Sequence, residues 1–191
     1  MITGILLAGG SSTRFGSAKL LHPYKEGATI GEVAAKNLLA GVGSVLAVVR
    51  TGDDELAYRL RAAGCDVLST PRSRDGIGAS LAAGVEAAGG AEGWLIALAD
   101  MPAIDPETIR AVANALRKGA ALAAPVLRAS GERGHPVGFS AAYKAELLAL
   151  STDEGARTIL ARHPEMLVAV PVEDRGILLD IDRPADLAPE A

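Results

Sequence analysis

Short apolar runs alternate with helical patterns along the first half of the chain. Strands separated by helices pair in parallel through right-handed β-α-β units, so this order predicts an α/β fold with a mostly parallel central sheet and helices on both faces. Near-continuous apolar runs are typical of strands that such helices bury on both sides. The predicted strands are Ile2–Leu7, Val45–Val49, Val67–Leu68 and Trp94–Ala99, and the predicted helices are Ile30–Leu39, Glu55–Ala63 and Ala79–Ala88.

The second half of the chain continues this pattern with one interruption. Asp105 as an N-cap and Pro106 at the first helical position predict a helix that ends near Gly119. Two apolar runs then flank the polar loop 128–135 so closely that we expect an antiparallel excursion of the sheet rather than another crossover helix. The remaining predicted elements are strands Leu122–Leu127, Pro136–Phe139, Met166–Val172 and Ile177–Ile181 and helices Ala142–Leu150 and Glu154–Arg162.

The length and charge of the chain limit the classes of protein to which it can belong. A chain of 191 residues without a linker or repeat is expected to form a single domain, residues 1–191. The net charge of −4 gives no broad basic field, which argues against a nucleic-acid partner but leaves room for a local cationic pocket. No apolar run reaches the length of about 18 residues that spans a bilayer, and Met1 leads directly into a predicted strand. We therefore expect a soluble, cytoplasmic protein with no membrane partner, and the single cysteine, Cys65, fits that reducing compartment.

A glycine turn with two cations follows the first predicted strand. Gly9 and Gly10 allow the backbone to approach a ligand closely, and successive backbone N–H groups in such a turn form a concave anion site. Arg14 offers a planar fork and Lys19 a mobile point charge, so together they can bind a chain of phosphates in two ways. The sequence therefore predicts a phosphate cradle, although an ordinary strand-to-helix turn with exposed cations remains the alternative. The predicted nucleotide-binding residues of this turn are Leu7, Ala8, Gly9, Gly10, Arg14 and Lys19.

Two better-known glycine loops do not fit this turn. The Walker loop requires four residues between its glycines and a lysine directly after the second, whereas five residues separate Gly10 from Gly16 and Lys19 follows an alanine. The dinucleotide pattern Gly-x-Gly-x-x-Gly is also absent from the turn. A dehydrogenase is therefore the weakest of the functions considered.

Carboxylates end two of the predicted strands. Asp100 follows an apolar strand, and Asp180 and Asp182 lie two residues apart near the end of the chain, where a strand would place them on one face. Mg²⁺ prefers hard oxygen ligands and completes its shell with water and substrate phosphates. Asp100 is thus either a magnesium ligand or the start of a turn before Pro102. Either Asp180 or Asp182 could be the second ligand, and Asp182 could instead be only a helix N-cap.

Several stretches resemble a known family. Residues 7–19 have the pattern Leu-Ala-Gly-Gly-x-x-x-Arg-Phe-Gly-x-x-Lys, which resembles the nucleotide-binding loop of nucleotidyltransferases with a glycosyltransferase-A-like fold. Together with Leu20-Leu21 and later segments it is most similar to the MobA-like nucleotidyltransferases, above all the molybdenum cofactor cytidylyltransferases and their guanylyltransferase relatives. This resemblance spans nearly the whole chain. It implies that Asp100, in a strand-end Asp-x-Pro, and Asp182 bind the metal and that Arg14, Lys19 and Asp100 are catalytic.

The resemblance also assigns the segments that would bind the two substrates. Residues 75–81 would lie beside the base and ribose, with Gly78 and Ser80 as nucleotide-binding residues. Residues 131–139 resemble the Gly-x-Arg-Gly-His-Pro-Val segment that faces the acceptor. Residues 152–157 resemble a Gly-Asp-x-Gly-Ala-Arg stretch, with Ser151-Thr152 in place of its usual start, that would close over the acceptor or cap a helix. The substrate-binding residues implied by the resemblance are Arg133, Gly134 and His135.

The activity implied is Mg²⁺-dependent transfer of a nucleotide from a nucleoside triphosphate to a phosphate acceptor of the molybdopterin type, with release of pyrophosphate. CTP is the favoured donor, but Gly9 is typical of the guanylyl enzymes, so GTP stays an alternative. Transfer to a sugar phosphate or to methylerythritol phosphate is a further alternative. A different class of function is a non-catalytic maturation factor that presents cofactor to a molybdenum hydroxylase client.

Overall fold

The central sheet is built from short buried strands in the computed structural model, which describes residues 1–10, 15 and 18–187. The first strand, Ile2–Ala8, is buried along its whole length, as its apolar sequence predicts. The strands are β1 (Ile2–Ala8), β2 (Pro23–Lys25), β3 (Ala28–Thr29), β4 (Val45–Arg50), β5 (Asp66–Thr70), β6 (Gly93–Leu98), β7 (Leu122–Leu127), β8 (Val137–Ser140) and β9 (Leu167–Val172). The α-helices are α1 (Ile30–Val42), α2 (Asp54–Ala62), α3 (Ile77–Ala87), α4 (Pro106–Arg117), α5 (Lys144–Leu148) and α6 (Arg157–Arg162).

Seven of these strands form one sheet in the order β5-β4-β1-β6-β8-β7-β9. All neighbouring pairs are parallel except those of β8, which runs antiparallel to both β6 and β7. Strands β2 and β3 form a small antiparallel sheet of their own. The predicted α/β fold class, with a mostly parallel sheet and an antiparallel excursion, is confirmed.

The helices cover the sheet on both faces. Buried side chains of α1, α2 and α4 pack in one hydrophobic cluster, and those of α3, α5 and α6 pack in a second. Successive residues of β1 serve opposite layers, because Leu6 belongs to the first cluster and Ile5 to the second. Along the described residues, no helix combines the length and the apolar character needed to cross a bilayer.

The starts of two helices follow from their sequences. Thr29 and Glu32 form a capping box, in which the Thr29 hydroxyl accepts from the Glu32 N–H and the Glu32 carboxylate accepts from the Thr29 N–H. The Asp105 carboxylate accepts from the Glu107 N–H, and Pro106 occupies the first position of α4. The predicted start of this helix is therefore confirmed.

The predicted strand Ile177–Ile181 is wrong. Residues Arg175–Leu178 form a 3-10 turn instead, and the following backbone contacts two different segments. The Ile177 carbonyl accepts from the His135 N–H at 3.0 Å, and the Ile181 N–H donates to the Asp100 carbonyl at 2.9 Å. Since these backbone groups bind separate loops, the segment does not join the sheet as a strand.

Two predicted helices are shorter than expected. The helix predicted over Glu154–Arg162 begins only at Arg157, because residues 151–154 pack against the start of α3, where the Gly78 N–H donates to the Thr152 carbonyl at 2.9 Å. The helix predicted over Ala142–Leu150 consists of a 3-10 turn at Ala141–Tyr143 followed by α5.

Candidate functional site

A cleft of about 720 Å³ opens at the carboxyl ends of the central strands. In open α/β sheets this edge is where ligands bind, and the volume lies in the range of small-molecule sites. The ends of β1, β4 and β6 meet the beginning of α3 around it. The cleft is lined by Leu7, Gly9, Gly10, Lys19, Leu20, Arg50, Ser73, Arg74, Gly76, Ile77, Ser80, Leu98, Asp100 and Asp153.

The glycine turn forms one wall of this cleft. Leu7, Gly9 and Gly10 line it, whereas Ala8 lines a smaller neighbouring cleft of about 360 Å³. A Cβ atom on Gly9 would lie 2.8 Å from the Cβ of Ser73 and 2.9 Å from its Oγ, so only glycine fits beside this buried serine. Arg14, which we predicted to be a catalytic and nucleotide-binding residue, lies outside the described residues.

Lys19 connects the turn to the two predicted metal ligands. Its ammonium nitrogen lies 2.8 Å from Asp100 Oδ2 and 3.3 Å from Asp182 Oδ1, and its side chain is only 10% exposed. Burial acts to lower the pKa of Lys19, but the hydrogen bonds and negative charges of the two carboxylates outweigh it and raise the pKa. Lys19 therefore stays protonated and places a positive charge beside two carboxylates at the edge of the cleft.

Backbone and amide contacts position Asp100. This residue follows β6, and its carbonyl accepts the hydrogen bond from Ile181 described above. The side-chain amide of Asn37, on α1, donates to the carbonyls of both Pro102 and Ile104 at 3.0 Å. These bonds fix the turn that carries Asp100 and place it directly beside the segment that carries the second carboxylate.

A short acidic turn positions Asp182. The carboxylate of Asp186 accepts from the backbone N–H of Asp182 at 2.9 Å and from that of Arg183 at 2.7 Å. Asp182 thus lies at the start of the 3-10 turn Pro184–Leu187, and its own side chain faces Lys19. Asp180 is exposed, and its charge acts on His135.

The two carboxylates fit a magnesium ion by their chemistry. Asp100 and Asp182 supply hard oxygen donors that both contact one cation, the ammonium of Lys19. No group of three or more His, Cys, Asp or Glu side chains suited to a metal occurs in the part of the chain that the structure describes. Mg²⁺ commonly binds to one or two carboxylates together with water and substrate phosphates. The pair Asp100 and Asp182 matches this usual coordination.

The start of α3 lies across the cleft from the turn. Ser80 is buried and lines the cleft, and its hydroxyl donates to the Gly76 carbonyl at 3.0 Å. Gly78 is turned toward the neighbouring loop, because a Cβ atom there would lie 2.5 Å from the Glu154 carbonyl oxygen and 3.0 Å from that of Thr152. The structure therefore brings Ser80 to the cleft and accounts for Gly78 by close packing. Their binding to a nucleotide stays a prediction.

A second cleft, of about 420 Å³, adjoins the first. The two share Leu7, Ile77, Leu98 and Asp153, and the second contains the three predicted acceptor-binding residues, Arg133, Gly134 and His135. Its floor is apolar and its rim carries Arg133, Arg157 and Asp153. The arrangement suits an anionic ligand with an apolar body next to the first cleft.

His135 is the most enclosed ionisable group of this second cleft. Burial lowers its pKa, although the nearby carboxylates of Asp100 and Asp180 act in the opposite direction. Its Nδ1 atom is buried and has no hydrogen-bond partner among the described residues. Gly134 is required beside it, because a Cβ atom would lie 2.1 Å from the Ile177 carbonyl oxygen.

Sequence reasoning missed three residues of the site. Arg50 ends β4 and lines the first cleft, a position that its place at the end of a buried apolar run would have indicated. Ser73 and Asn37 carry no comparable signal, because their roles depend on segments distant in sequence.

The molecule is an α/β protein with two adjoining clefts at the carboxyl edge of its sheet and with a lysine bound by two carboxylates beside the first cleft. The chain belongs to the MobA-like NTP transferase family, since the model of that domain matches residues 4–167. By family it is a nucleotidyltransferase.

Relatives align over nearly the whole chain. The purine catabolism protein PucB of Bacillus subtilis (strain 168) is 30% identical, and the alignment covers 97% of this chain and 93% of that protein. The nicotine blue oxidoreductase of Paenarthrobacter nicotinovorans is 28% identical, with coverage of 95% and 92%.

Solved structures show the same architecture. A nucleotidyl transferase from Methanothermobacter superposes with a TM-score of 0.81 at 27% identity and covers 97% of this chain and 94% of that one. Rv0371c from Mycobacterium tuberculosis H37Rv, solved as a complex with manganese, has a TM-score of 0.77 at 25% identity, with coverage of 97% and 95%.

Proposed function

We propose that this chain, as a single domain of residues 1–191, is a Mg²⁺-dependent nucleotidyltransferase that uses CTP and a phosphate acceptor of the molybdopterin type. The observation that carries the proposal is the ammonium of Lys19 between Asp100 and Asp182 at the edge of a nucleotide-sized cleft. A binding protein without catalysis has little use for two carboxylates beside bound phosphates. A molybdenum hydroxylase that receives the product would be the client.

The reaction requires no strong general base. An oxygen of the acceptor phosphate attacks the α-phosphorus of the triphosphate, the new P–O bond forms, and the bond from the α-phosphorus to the bridging oxygen breaks as pyrophosphate leaves with the electron pair. The acceptor phosphate is already ionised at neutral pH, so no proton must be removed from it. The task left to the protein is to align two anions and to stabilise charge on the leaving group.

The residues divide this task between the two clefts. Lys19, with Arg14, would neutralise charge on the leaving phosphates, while the backbone N–H groups of Gly9 and Gly10 bind phosphate oxygens. Mg²⁺ held by Asp100 and Asp182 would supply charge neutralisation and template the phosphates when bound. The manganese complex of the Mycobacterium tuberculosis neighbour supports a divalent metal in this fold.

The choice of CTP over GTP is supported by the surroundings of Gly9. The glycine at this position was the feature most typical of guanylyl enzymes, but the adjacent Ser73 side chain already requires it. A residue imposed by packing carries no information about the base. The remaining resemblances therefore favour CTP, because they are to the cytidylyl enzymes. They lie in residues 14–21, 133–136 and 180–182.

The acceptor would occupy the second cleft. Its apolar floor suits a fused ring system, and Arg133 and Arg157 on its rim can pair with a phosphate. Because Leu7, Ile77, Leu98 and Asp153 line both clefts, a ligand in each would meet at this shared wall. The nucleophile and the α-phosphorus would meet there.

The experiment that tests the proposal begins with binding. Thermal unfolding is followed with CTP, GTP, ATP and UTP, each with and without Mg²⁺, and ligand at a hundredfold over its Kd stabilises a protein by about 2.7 kcal/mol. We expect the largest shift with Mg-CTP. Preference for Mg-GTP would overturn the choice of CTP, and no response to any nucleotide would contradict the proposal that the protein is a nucleotidyltransferase.

The second part measures pyrophosphate release with CTP, Mg²⁺ and molybdopterin. We expect Asp100→Asn to abolish it, because this variant removes one of the two carboxylate ligands. Asp66→Asn is the matched control, since Asp66 is an exposed carboxylate at the amino end of β5, on the opposite edge of the sheet. Unchanged turnover by the Asp100 variant would exclude this metal site.

A further inference from the structure

Arg50 reaches from β4 to the glycine turn. Its Nη2 donates to the Gly9 carbonyl at 3.1 Å. The two residues are neighbours at the end of the sheet: Val49 of β4 pairs with Ala8 of β1, Arg50 is the last residue of β4, and Gly9 directly follows β1. The bond therefore joins the ends of two central strands at the edge where the cleft opens.

The charge of Arg50 is not balanced by a carboxylate. Arg59 and Arg72 form ion pairs with glutamates, but no such pair is formed by Arg50 within residues 1–10, 15 and 18–187. Its Nε atom is buried and has no hydrogen-bond partner among those residues. A buried N–H group without a partner is costly, and in native proteins such a group requires an explanation. Arg50 lines both the cleft of about 720 Å³ and that of about 360 Å³, so an anion bound there would provide the missing negative charge.

The hydrogen bond also fixes the direction of a backbone donor. In a planar trans peptide, the carbonyl of one residue and the N–H of the next point in opposite directions. With the Gly9 carbonyl directed at the guanidinium, the Gly10 N–H points away from it, and this N–H has no hydrogen-bond partner in the described part of the chain. Without Arg50, a peptide between two glycines could rotate and present its carbonyl oxygen to the ligand.

We propose that Arg50 is a positioning residue for phosphate binding, which holds the Gly9–Gly10 peptide so that the Gly10 N–H donates to a phosphate oxygen of the nucleotide. The proposal rests on the proposed function, because it assigns the phosphate chain to this cleft. A purely structural tie between the strands is a weaker explanation, since the pairing of Ala8 with Val49 already joins them. The glycine turn thus depends on a cation that lies outside it in sequence.

The test follows the Gly10 amide by NMR during a titration with Mg-CTP and, separately, with inorganic tripolyphosphate. The resonance is identified by its loss in Gly10→Ala, a change that the structure accommodates because a Cβ atom there meets nothing within 4 Å. In the wild type we expect a downfield shift of the Gly10 proton as the phosphate accepts its hydrogen bond. In Arg50→Met we expect this shift to be lost and the affinity to fall by about ten- to a hundredfold.

Conservative and distant variants separate positioning from charge. Arg50→Lys keeps a cation that can still donate to the Gly9 carbonyl, so it should retain the Gly10 shift and most of the affinity. Arg61→Met removes an exposed cation of α2 and should leave both unchanged. Arg50→Gln, whose amide is too short to reach the same carbonyl, repeats the test if Arg50→Met does not fold.

The outcomes distinguish this inference from the proposed function. If Arg50→Met binds more weakly but the Gly10 proton still shifts, Arg50 acts through its charge alone and the positioning role is wrong. If affinity and shift both persist in that variant, the inference fails while the function stands. If the wild type responds to neither Mg-CTP nor tripolyphosphate, the proposed function itself is overturned.

Discussion

The ammonium nitrogen of Lys19 lies 2.8 Å from Asp100 Oδ2, where a metal ion bound by that carboxylate would also have to lie close. A unit charge on each of two cations about 4 Å apart gives a repulsion of about 4 kcal/mol at the effective dielectric constant of a protein surface, and a divalent ion doubles it. Lys19 and a divalent metal therefore compete for the same carboxylates. The long, flexible lysine side chain can leave them for the phosphates of the nucleotide.

Replacing this lysine should tighten metal binding. In Lys19→Met, the pair Asp100 and Asp182 keeps its negative charge but loses its internal cation. We expect Mn²⁺ to bind this variant about tenfold or more tightly than the wild type when no nucleotide is present, as measured by electron paramagnetic resonance of free Mn²⁺. Binding of the nucleotide should weaken in the same variant, because a phosphate contact is lost.

Two further variants make this measurement decisive. Lys36→Met removes an exposed cation of α1 and should leave Mn²⁺ affinity unchanged. Lys19→Met combined with Asp100→Asn should lose the gain, since one carboxylate is then neutral. Equal Mn²⁺ affinity in the wild type and in Lys19→Met would show that the ammonium and the metal do not share these ligands.

The sequence predicted the strands of this sheet because their signals are local. Apolar runs such as β1 and β6 are buried on both faces, and the cap of α4 depends on neighbouring residues only. The segment 177–181 was predicted wrongly as a strand because its apolar residues satisfy a periodic pattern, while its backbone binds two distant loops. A pattern of apolar residues indicates which side chains are buried, but it does not indicate which backbone groups a segment will bind.

Gly9 and Ser73 give a prediction of paired substitutions. Gly9→Ala would place a Cβ atom 2.8 Å from the Ser73 Cβ, so the variant should be destabilised by about 1 to 3 kcal/mol and should bind nucleotide weakly. Ser73→Gly removes both of the atoms that would lie less than 3.0 Å from the new methyl group. The double variant Gly9→Ala, Ser73→Gly should therefore recover a substantial part of the lost stability, measured by urea unfolding.

The comparison of the two single variants with the double variant forms a thermodynamic cycle. Strictly additive effects would mean that the collision with Ser73 is not the reason for glycine at position 9. In that event Gly9 would again be evidence for a guanine nucleotide, and the double variant should be titrated with CTP and GTP. A recovered fold with unchanged preference for CTP would support packing as the whole reason.

Thr152 occupies a left-handed backbone conformation, with φ +61°. A left-handed conformation costs an L-residue about 1 to 2 kcal/mol, and a β-branched side chain is among the least tolerant of it. Glycine would remove this strain but would add about 0.5 to 1 kcal/mol of entropy to the unfolded chain. We therefore expect Thr152→Gly to stabilise the protein by up to about 1 kcal/mol, seen as a higher urea midpoint with an unchanged slope.

Glu26 provides the matched comparison for this substitution. It has φ +51° but no branch at Cβ, so Glu26→Gly should gain less than Thr152→Gly. A loss of stability in Thr152→Gly would mean that the threonine side chain makes a contact worth more than the strain. The family pattern that this stretch resembles begins with glycine at the corresponding position, and the backbone angle gives that glycine a physical reason.

The candidate site was only partly predictable for a similar reason. Asp100, Asp182 and Lys19 were selected separately from their sequence surroundings, and the structure brings their charged groups together. Asn37, on α1, helps to position Asp100 by donating to the carbonyls of residues 102 and 104. No local sequence pattern connects those residues to α1. Contacts between segments far apart in the chain thus decide how the predicted residues are held.

His135 gives the protein a pH dependence in the mildly acidic range. Because burial lowers its pKa below the ordinary value near 6.5, the folded state binds fewer protons than the unfolded state between these two values. Stability is therefore fully present above about pH 6.5 and falls as the pH drops through this window, by at most about 1.4 kcal/mol per pH unit. We expect His135→Gln to remove this slope when urea unfolding is measured from about pH 5 to about pH 7.5.

His22→Gln serves as the control for this pH series. It removes an imidazole near the surface, whose Nδ1 contacts the Pro23 carbonyl, and leaves His135 in place. The difference in unfolding free energy between the wild type and His135→Gln should rise with pH, whereas the slope in His22→Gln should match the wild type. Parallel curves for the wild type and His135→Gln would mean that the His135 ring accepts a proton as readily in the folded protein as in the unfolded chain.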